Sequence, residues 1–252
     1  MSLLRVENLS IQFGGVRAIQ DLDFTIDPGT VHSIIGPNGA GKTTLFNLIT
    51  GVYRPTTGAI YLDDQPVTGR RPNELARMGM SRTFQNLQIM MNMTALENVM
   101  VGRHLHLNRN LLACLLRLPA ITRGDRTARK RCIELMERVG LGGYINAEAG
   151  AMPYGALKRL EIARALAAEP TLLLLDEPAA GLNARETKEI DEVIVAVARA
   201  GVTVVLVEHD MKLVMGISDH ILVLDYGRKL AEGTPEEVRN NPAVIAAYLG
   251  NV

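Results

Sequence analysis

The 252-residue chain has no tryptophan, and only 4% of its residues are aromatic. Cysteine is almost as scarce. Cys114 and Cys132 are the only two, too few for a disulfide framework, and no clustered partner ligands suggest a metal site around them. Both read as small apolar residues. Neither sign of charge is in excess: 27 basic and 27 acidic residues give a formal net charge of 0. A nucleic-acid partner normally leaves a basic footprint, so none is expected. No apolar run is long enough to cross a bilayer; Leu111 to Ile121 comes nearest and is broken by Arg117 and Pro119. The opening residues, Met-Ser-Leu-Leu-Arg-Val-Glu-Asn, carry charge where a secretory signal would be apolar. These absences predict a cytoplasmic protein, held at a membrane only through a partner. Repeats and low-complexity segments are lacking too. What is present is a 47% apolar content, enough for a sizeable core and incompatible with disorder. The length suits one large domain or a domain with a subdomain.

Glycine, by contrast, is plentiful and clustered. Gly36, Pro37, Asn38, Gly39, Ala40, Gly41, Lys42, Thr43 and Thr44 fit the phosphate-loop pattern G-x-x-x-x-G-K-[ST]. The short, mostly apolar run Val31 to Ile35 precedes it, and Leu45, Leu48 and Ile49 follow at helical spacing. Strand, glycine loop and helix are the context that gives the pattern its meaning. Loop N–H groups and a helix N-terminus make an anion site. Lys42 is placed to reach the β- and γ-phosphates of a nucleotide, and the Thr43 hydroxyl to ligate Mg²⁺.

Around the loop the texture changes twice. Residues 3–29 read as short strands and turns: Leu4 to Glu7, Ile11 to Phe13 and Leu22 to Ile26, with Asp27-Pro28-Gly29 as a turn. Ala59 to Leu62 adds a strand ending at Asp63-Asp64. Thr94 to Gly143 is rich in Leu, Arg, Met and Ala and reads as three or four helices broken at Pro119 and Gly124. Buried-strand texture returns at Thr171 to Leu175, Val202 to Val207 and Ile221 to Leu224. Helical stretches separate these runs: Leu157 to Ala168, Glu186 to Ala200 (with Gly201 as a C′ residue) and Lys212 to Ser218. The alternation predicts a parallel α/β sheet. Thr234-Pro235-Glu236-Glu237 predicts the capped start of a last helix.

Two strand ends carry further chemistry. Leu172 to Leu175 delivers Asp176 and Glu177 at a C-terminal strand end, where α/β sheets place ligands. Asp176 offers the hard oxygen that a phosphate-bridging Mg²⁺ requires. Glu177 is the candidate base for an attacking water. Val204 to Val207 repeats the design and ends in Glu208, His209 and Asp210, making His209 a candidate γ-phosphate sensor. His32, His104, His106 and His220 show no ligand spacing.

Phosphate loop, Gln85 within Thr83-Phe84-Gln85-Asn86, the segment Met152 to Ala156, Asp176-Glu177 and His209 occur in an order that resembles the ATP-binding subunit of an ABC transporter. The resemblance runs nearly end to end. It implies a P-loop NTPase (RecA-like) parallel-sheet core with an N-terminal antiparallel β subdomain and an inserted α-helical subdomain. On this reading residues 1–92 and 147–252 form the nucleotide-binding core of one ATPase domain, and residues 93–146 form the helical part. Two such chains pair head to tail in the family, so that ATP lies between one phosphate loop and the partner's signature segment. Gln85 then contacts Mg²⁺ and the attacking water, Phe13 lies where an aromatic ring meets adenine, and Gly155 lines the nucleotide from across the pair. Ala180 to Asn183 falls at the loop that crosses the pair. The implied partners are a second ATP-binding subunit, two transmembrane permease subunits and, indirectly, an external solute-binding protein. They would hold the chain peripherally on the inner face of the membrane.

Narrower wording points to the ATPases of branched-chain amino acid importers: Arg82 to Asn86, Pro178 to Asn183, Glu208 to Met211, and Asn241-Pro242 through Tyr248-Leu249-Gly250. Phe13-Gly14-Gly15-Val16 is of the same type. Urea-importer and lipopolysaccharide-exporter ATPases are similar in these segments, so both stay open as alternatives. Non-transport ABC proteins usually have two cassettes or a long coiled coil, which this chain lacks. A GTPase is disfavoured by the absence of an Asn-Lys-x-Asp motif. The apolar, Met-rich stretch from Asn86 to Met93 (Met90, Met91, Met93) suits either a partner contact or subdomain core.

The signature departs from the family pattern Leu-Ser-Gly-Gly-Gln. Here it is Met152-Pro153-Tyr154-Gly155-Ala156, and only the second glycine remains. Proline at the serine position supplies neither hydroxyl nor N–H. The backbone N–H groups of Tyr154, Gly155 and Ala156 and the helix dipole remain. An intact acidic pair beside an altered signature leads to the expectation of an asymmetric heterodimer.

Overall fold

The computed structural model describes residues 2–106 and 119–249. Two sheets organise the chain. The first is antiparallel, in the order β2-β1-β4-β5, built from β1 (Leu4–Phe13), β2 (Val16–Ile26), β4 (Thr57–Leu62) and β5 (Gln65–Pro66). The second runs β10-β9-β3-β8-β7-β6. Its members are β3 (Val31–Ile35), β6 (Met80–Arg82), β7 (Leu172–Asp176), β8 (Thr203–Val207), β9 (His220–Asp225) and β10 (Arg228–Gly233). Five of these strands are parallel, and β10 turns back antiparallel on β9.

The parallel sheet forms where the sequence is apolar without alternation. Leu172, Leu173, Leu174 and Leu175 are fully buried, as are Val204, Val205 and Leu206, because both sheet faces are covered. One face packs on the antiparallel sheet and on α1 (Lys42–Ile49), through Phe46, Leu45 and Ile49. The other packs on α5 (Tyr154–Leu166) and α6 (Ala184–Arg199), through Leu160, Ala163, Ile190 and Ile194. Among the described residues, the strands and helices predicted outside Thr94 to Gly143 appear, with ends moved by a few residues. Gly201 is left-handed after α6, with φ +94°.

Four expectations change. The separate N-terminal strands join into one ten-residue β1 whose pairing with β2 shifts register between Val6 and Gln12. The sequence pattern broke there because the irregularity interrupts alternation. Strand β6 was not foreseen; three residues carry too little periodicity to read. After α7 (Met211–Ile217) comes α8 (Pro235–Arg239), capped by Thr234 as predicted, and a further helix α9 follows, Pro242–Leu249. Gly124 does not break a helix, since it lies within α4 (Pro119–Arg138). A solvent-facing glycine in a 20-residue helix costs about 1 kcal/mol, which the rest of the helix absorbs. Pro119 is the first described residue of that helix. Cys132 is buried; Cys114, and most of the run from Leu111 to Ile121, lie outside the described residues.

Helix α2 (Pro72–Arg77) precedes β6, and the described α-helices between β6 and β7 are α3 (Ala95–Gly102), α4 and α5. Glu169, just beyond α5, has a left-handed backbone with φ +52°. Arg103 and Arg131 reach its Oε1 at 2.9 and 3.0 Å. The hydrogen bond from Arg103 holds the Glu169 carboxyl below its ordinary pKa.

Candidate functional site

Gly36 to Gly41 leave β3 and enter α1, whose N-cap is Gly41. A side chain at Gly36 would collide with the Leu224 carbonyl oxygen of β9, so only glycine lets the loop start so close to the sheet. Lys42 is 7% exposed and donates from Nζ to the carbonyls of Gly36 and Pro37, at 2.7 and 3.0 Å. Burial lowers its pKa, and the nearby Glu177 opposes that shift. Asn38, Gly39 and Thr43 are exposed, while Ala40 is buried and Thr44 half-buried. The tip of the β9–β10 hairpin braces the loop, since Gly227 N–H donates to the Ala40 carbonyl. On α9, burial raises the Tyr248 phenol, against a hydrogen bond from the Gly36 backbone.

Asp176 ends β7 and is buried. Glu177 follows with φ +49°, a left-handed conformation uncommon for a residue with a side chain. Its N–H donates to the Val207 carbonyl of β8, and its carboxylate lies between two partners. Gln85 Nε2 donates to Oε2 at 2.9 Å, and His209 Nε2 lies 2.7 Å from Oε1. Glutamine loop, acidic pair and histidine, separated by up to 124 positions, therefore converge on one carboxylate, with Lys42 close enough to interact electrostatically. Strain of this kind persists where surrounding structure enforces it.

The segment Met152 to Ala156 opens α5. Pro153 is its N-cap and has no side-chain capping bond. A Cβ on Gly155 would sit 2.7 Å from Glu186 Oε1. That same Glu186 closes a capping box with Asn183, accepting the Asn183 N–H at 3.1 Å. The signature and the Ala180–Asn183 loop are thus packed through one glutamate. Tyr154 remains 45% exposed. Farther along α5, Glu161 accepts the Gln88 N–H at 3.4 Å and Arg164 donates to the Gln88 carbonyl. The loop bearing Gln85 is in this way moored to the helix bearing the signature.

The family model described as "ABC transporter" matches residues 19–180, and that described as "Branched-chain amino acid ATP-binding cassette transporter" matches residues 228–252. The chain belongs to the ABC transporter ATP-binding family. It is 48% identical over 249 residues to the high-affinity branched-chain amino acid transport ATP-binding protein BraF of Pseudomonas aeruginosa, covering 98% of each chain. Identity and coverage are the same for LivG of Escherichia coli K12, a protein with the same description. Among solved structures, an ATP-binding cassette of an ABC transporter in its ADP conformation aligns with TM-score 0.87 at 31% identity, covering 99% of both chains. A dimeric cassette in a post-hydrolysis state, bound to ADP and phosphate, aligns with TM-score 0.74 at 26% identity, over 92% of this chain and 98% of that one. This chain is accordingly a nucleotide-binding ATPase cassette.

Two supporting residues of the cassette escaped the sequence reading. Glu208, 4% exposed, accepts the N–H groups of Ala179 and His209 at 2.8 and 3.0 Å. It fastens the loop after Glu177 to the loop holding His209. Burial raises its pKa. Arg82 reaches Asp176 at 2.9 Å. For Glu208 the available signal was an acidic residue beside a candidate sensor; for Arg82 the sequence offered none. Phe13 is 44% exposed and meets Tyr53 edge-on, with centroids 5.2 Å apart, so it is not a core aromatic. Met90 and Met91 are exposed, at 36% and 45%.

The donors expected for Mg²⁺ in this cassette, the Thr43 hydroxyl, the Asp176 carboxylate and the Gln85 amide oxygen, are all hard oxygens and fit that ion.

Asp191, on α6, supplies a stability prediction. Desolvation raises its pKa from 3.8 to about 6, helped by Asp210, Glu208 and Glu192, and its Oδ1 is buried without a hydrogen bond. A carboxyl raised in the fold costs stability once it ionises. The penalty grows from about pH 4 to about pH 6 and is complete above that. Asp191→Asn should therefore raise the melting temperature at pH 7.5 and leave it unchanged at pH 4. The shift corresponds to about 3 kcal/mol, which partial exposure to solvent reduces to about 1–2 kcal/mol. Thermal melts across pH 4–8 check this; an equal gain at both ends would contradict the assignment.

Proposed function

We propose that this cassette powers the uptake of branched-chain amino acids through separate permease subunits. It would do so by hydrolysing ATP in a head-to-tail pair with a second ATP-binding subunit. The observation that carries the chemistry is the Glu177 carboxylate between Gln85 and His209. On this reading Lys42 and the loop N–H groups hold the β- and γ-phosphates. Thr43, Asp176 and Gln85 hold Mg²⁺, which when bound offsets phosphate charge. Glu177 takes a proton from the attacking water as the bond from the γ-phosphorus to the bridging oxygen breaks. His209 turns from Glu177 to a γ-phosphate oxygen, and the partner's signature closes the site. Phe13 stacks on adenine. Residues 93–146 form the helical subdomain and the remainder the core.

Among the described residues no helix is long and apolar enough to cross a membrane, which suits a subunit bound peripherally on the inner face. A cleft of about 380 Å³, lined by Phe84, Val101, His104 and Arg164 among others, lies beside the Gln85 loop and suits a permease contact. The sequence similarity to BraF and LivG supports the solute class. Uptake of labelled leucine into proteoliposomes holding the full transporter tests it. Leucine accumulation that requires this subunit's Glu177 is expected, and ATP-driven movement of lipopolysaccharide or urea instead would defeat it.

The pairing we favour is unequal. Pro153 gives the facing nucleotide neither N–H nor hydroxyl, and it makes no side-chain capping bond at the start of α5. One missing charge-assisted bond is worth about 1.5–3 kcal/mol. The site built on this chain's own phosphate loop and a partner's intact signature should be the faster one. Single-turnover hydrolysis with the catalytic glutamate removed from each subunit in turn is the test, and equal losses would exclude asymmetry.

A further inference from the structure

Arg82 ends β6, the edge strand of the parallel sheet, and its side chain is buried, at 9% exposure. Its guanidinium is divided between two motifs. Nη2 donates to Asp176 Oδ2 at 2.9 Å. Nη1 donates to Asn47 Oδ1 at 2.7 Å and Thr50 Oγ1 at 2.9 Å, both at the far end of the helix that begins at the phosphate loop. Its carbon Cζ lies 5.5 Å from the Phe46 ring centroid and 5.3 Å from that of Phe84. Phe46 is fully buried in α1, and Phe84 precedes Gln85. One side chain therefore touches the phosphate-loop helix, the acidic pair and the glutamine loop.

The charges decide what this contact does. Asp176 is buried, at 7% side-chain exposure, and Arg82 is its ion-pair partner. A buried carboxylate stripped of its partner is strongly penalised. A planar guanidinium anchored at its other nitrogen holds a carboxylate at a fixed angle as well as neutralising it. With Oδ2 engaged, Oδ1 is the oxygen left to face the nucleotide. The Asp176 N–H is held as well, 3.3 Å from Thr83 Oγ1.

We propose that Arg82 is a positioning residue for the ATPase site: it fixes the Asp176 carboxylate so that Oδ1 faces the nucleotide-bound divalent cation, and it ties that carboxylate to α1. This rests on the reading of Asp176 as a metal-holding residue. Loss of Arg82 weakens the cation's hold on the nucleotide and leaves the loop's own grip on phosphate intact.

The test is binding of a fluorescent ATP analogue to the purified cassette, titrated with Mg²⁺ and repeated in EDTA, alongside thermal melts. Arg82→Gln should raise the half-saturating Mg²⁺ concentration about tenfold or more, the worth of one lost charge-assisted bond. Affinity in EDTA should stay within about twofold, because the loop is untouched. Arg82→Lys keeps the charge, loses the fork and should show the same direction of change; it carries the test if Arg82→Gln fails to fold. Adding Arg82→Lys to Asp176→Asn should cause no further loss of metal dependence, as expected of residues acting as one unit. An unchanged Mg²⁺ midpoint with a lowered melting temperature would show a purely structural role and overturn the proposal. So would a lowered midpoint, which would make Arg82 a competing charge. If Asp176→Asn itself leaves the midpoint unmoved, the metal reading of Asp176 fails and this inference falls with it.

Discussion

Glu177→Gln should lower steady-state ATP hydrolysis about 10²- to 10⁴-fold, the usual contribution of a positioned general base. Nucleotide affinity should change little. The substitution is nearly isosteric, so the backbone at φ +49° and its bond to Val207 have no reason to move. What disappears is the carboxylate that both Gln85 and His209 address. The contact with His209 can survive through the amide, but an amide cannot accept the proton of an attacking water. Phosphate release and labelled-nucleotide binding on the same preparation separate the two effects. A loss below about tenfold would place the base elsewhere, since one positioned base is worth more than that. His209→Ala in the Glu177→Gln background should add little, because groups acting as a unit are not additive.

Lys42→Met should weaken ATP binding by about 10²-fold or more, two charge-assisted bonds to phosphate being worth about 1.5–3 kcal/mol each. Methionine fills the stem's volume, so the fold should stay intact. Lys42 is buried against its own loop, donating to Gly36 and Pro37. On the proposed reading, the ammonium exchanges these carbonyls for phosphate oxygens when nucleotide binds. Equilibrium binding with and without Mg²⁺, together with a melting curve, is the check. Unaltered affinity in a folded variant would remove Lys42 from the phosphate site.

Much of this was legible in sequence because it rests on local signals. Leu172 to Leu175 and Val204 to Val207 are apolar without interruption, and Val31 to Ile35 is mostly so; short buried runs of this kind bounded by turns suit strands. The phosphate loop and Asp176-Glu177 carry their chemistry in adjacent residues. What was not legible depends on distance in the chain. Arg82 and Asp176 are 94 positions apart, and nothing in Met80-Ser81-Arg82 announces a strand. Glu208 reads as one more acid at a strand end until two amides are seen to point at it. Gly155 was recognised from the family pattern, yet its physical reason, the bulk of Glu186, lies 31 residues away. Gly124 misled because propensity is a weak prior inside a long helix.

Helix α5 joins two features that the sequence keeps apart. It begins at the signature and ends just before Glu169, where Arg103 and Arg131 converge. Thirteen residues at 1.5 Å each make it a rod about 20 Å long. If Glu169 is its fulcrum, a swing of about 10° there carries the tip about 3.5 Å, slightly more than one hydrogen-bond length. On the proposed reading, in which the signature meets a partner's phosphate, the length of the rod sets the gearing: a small rotation at the Glu169 end moves the signature tip by about one hydrogen-bond length.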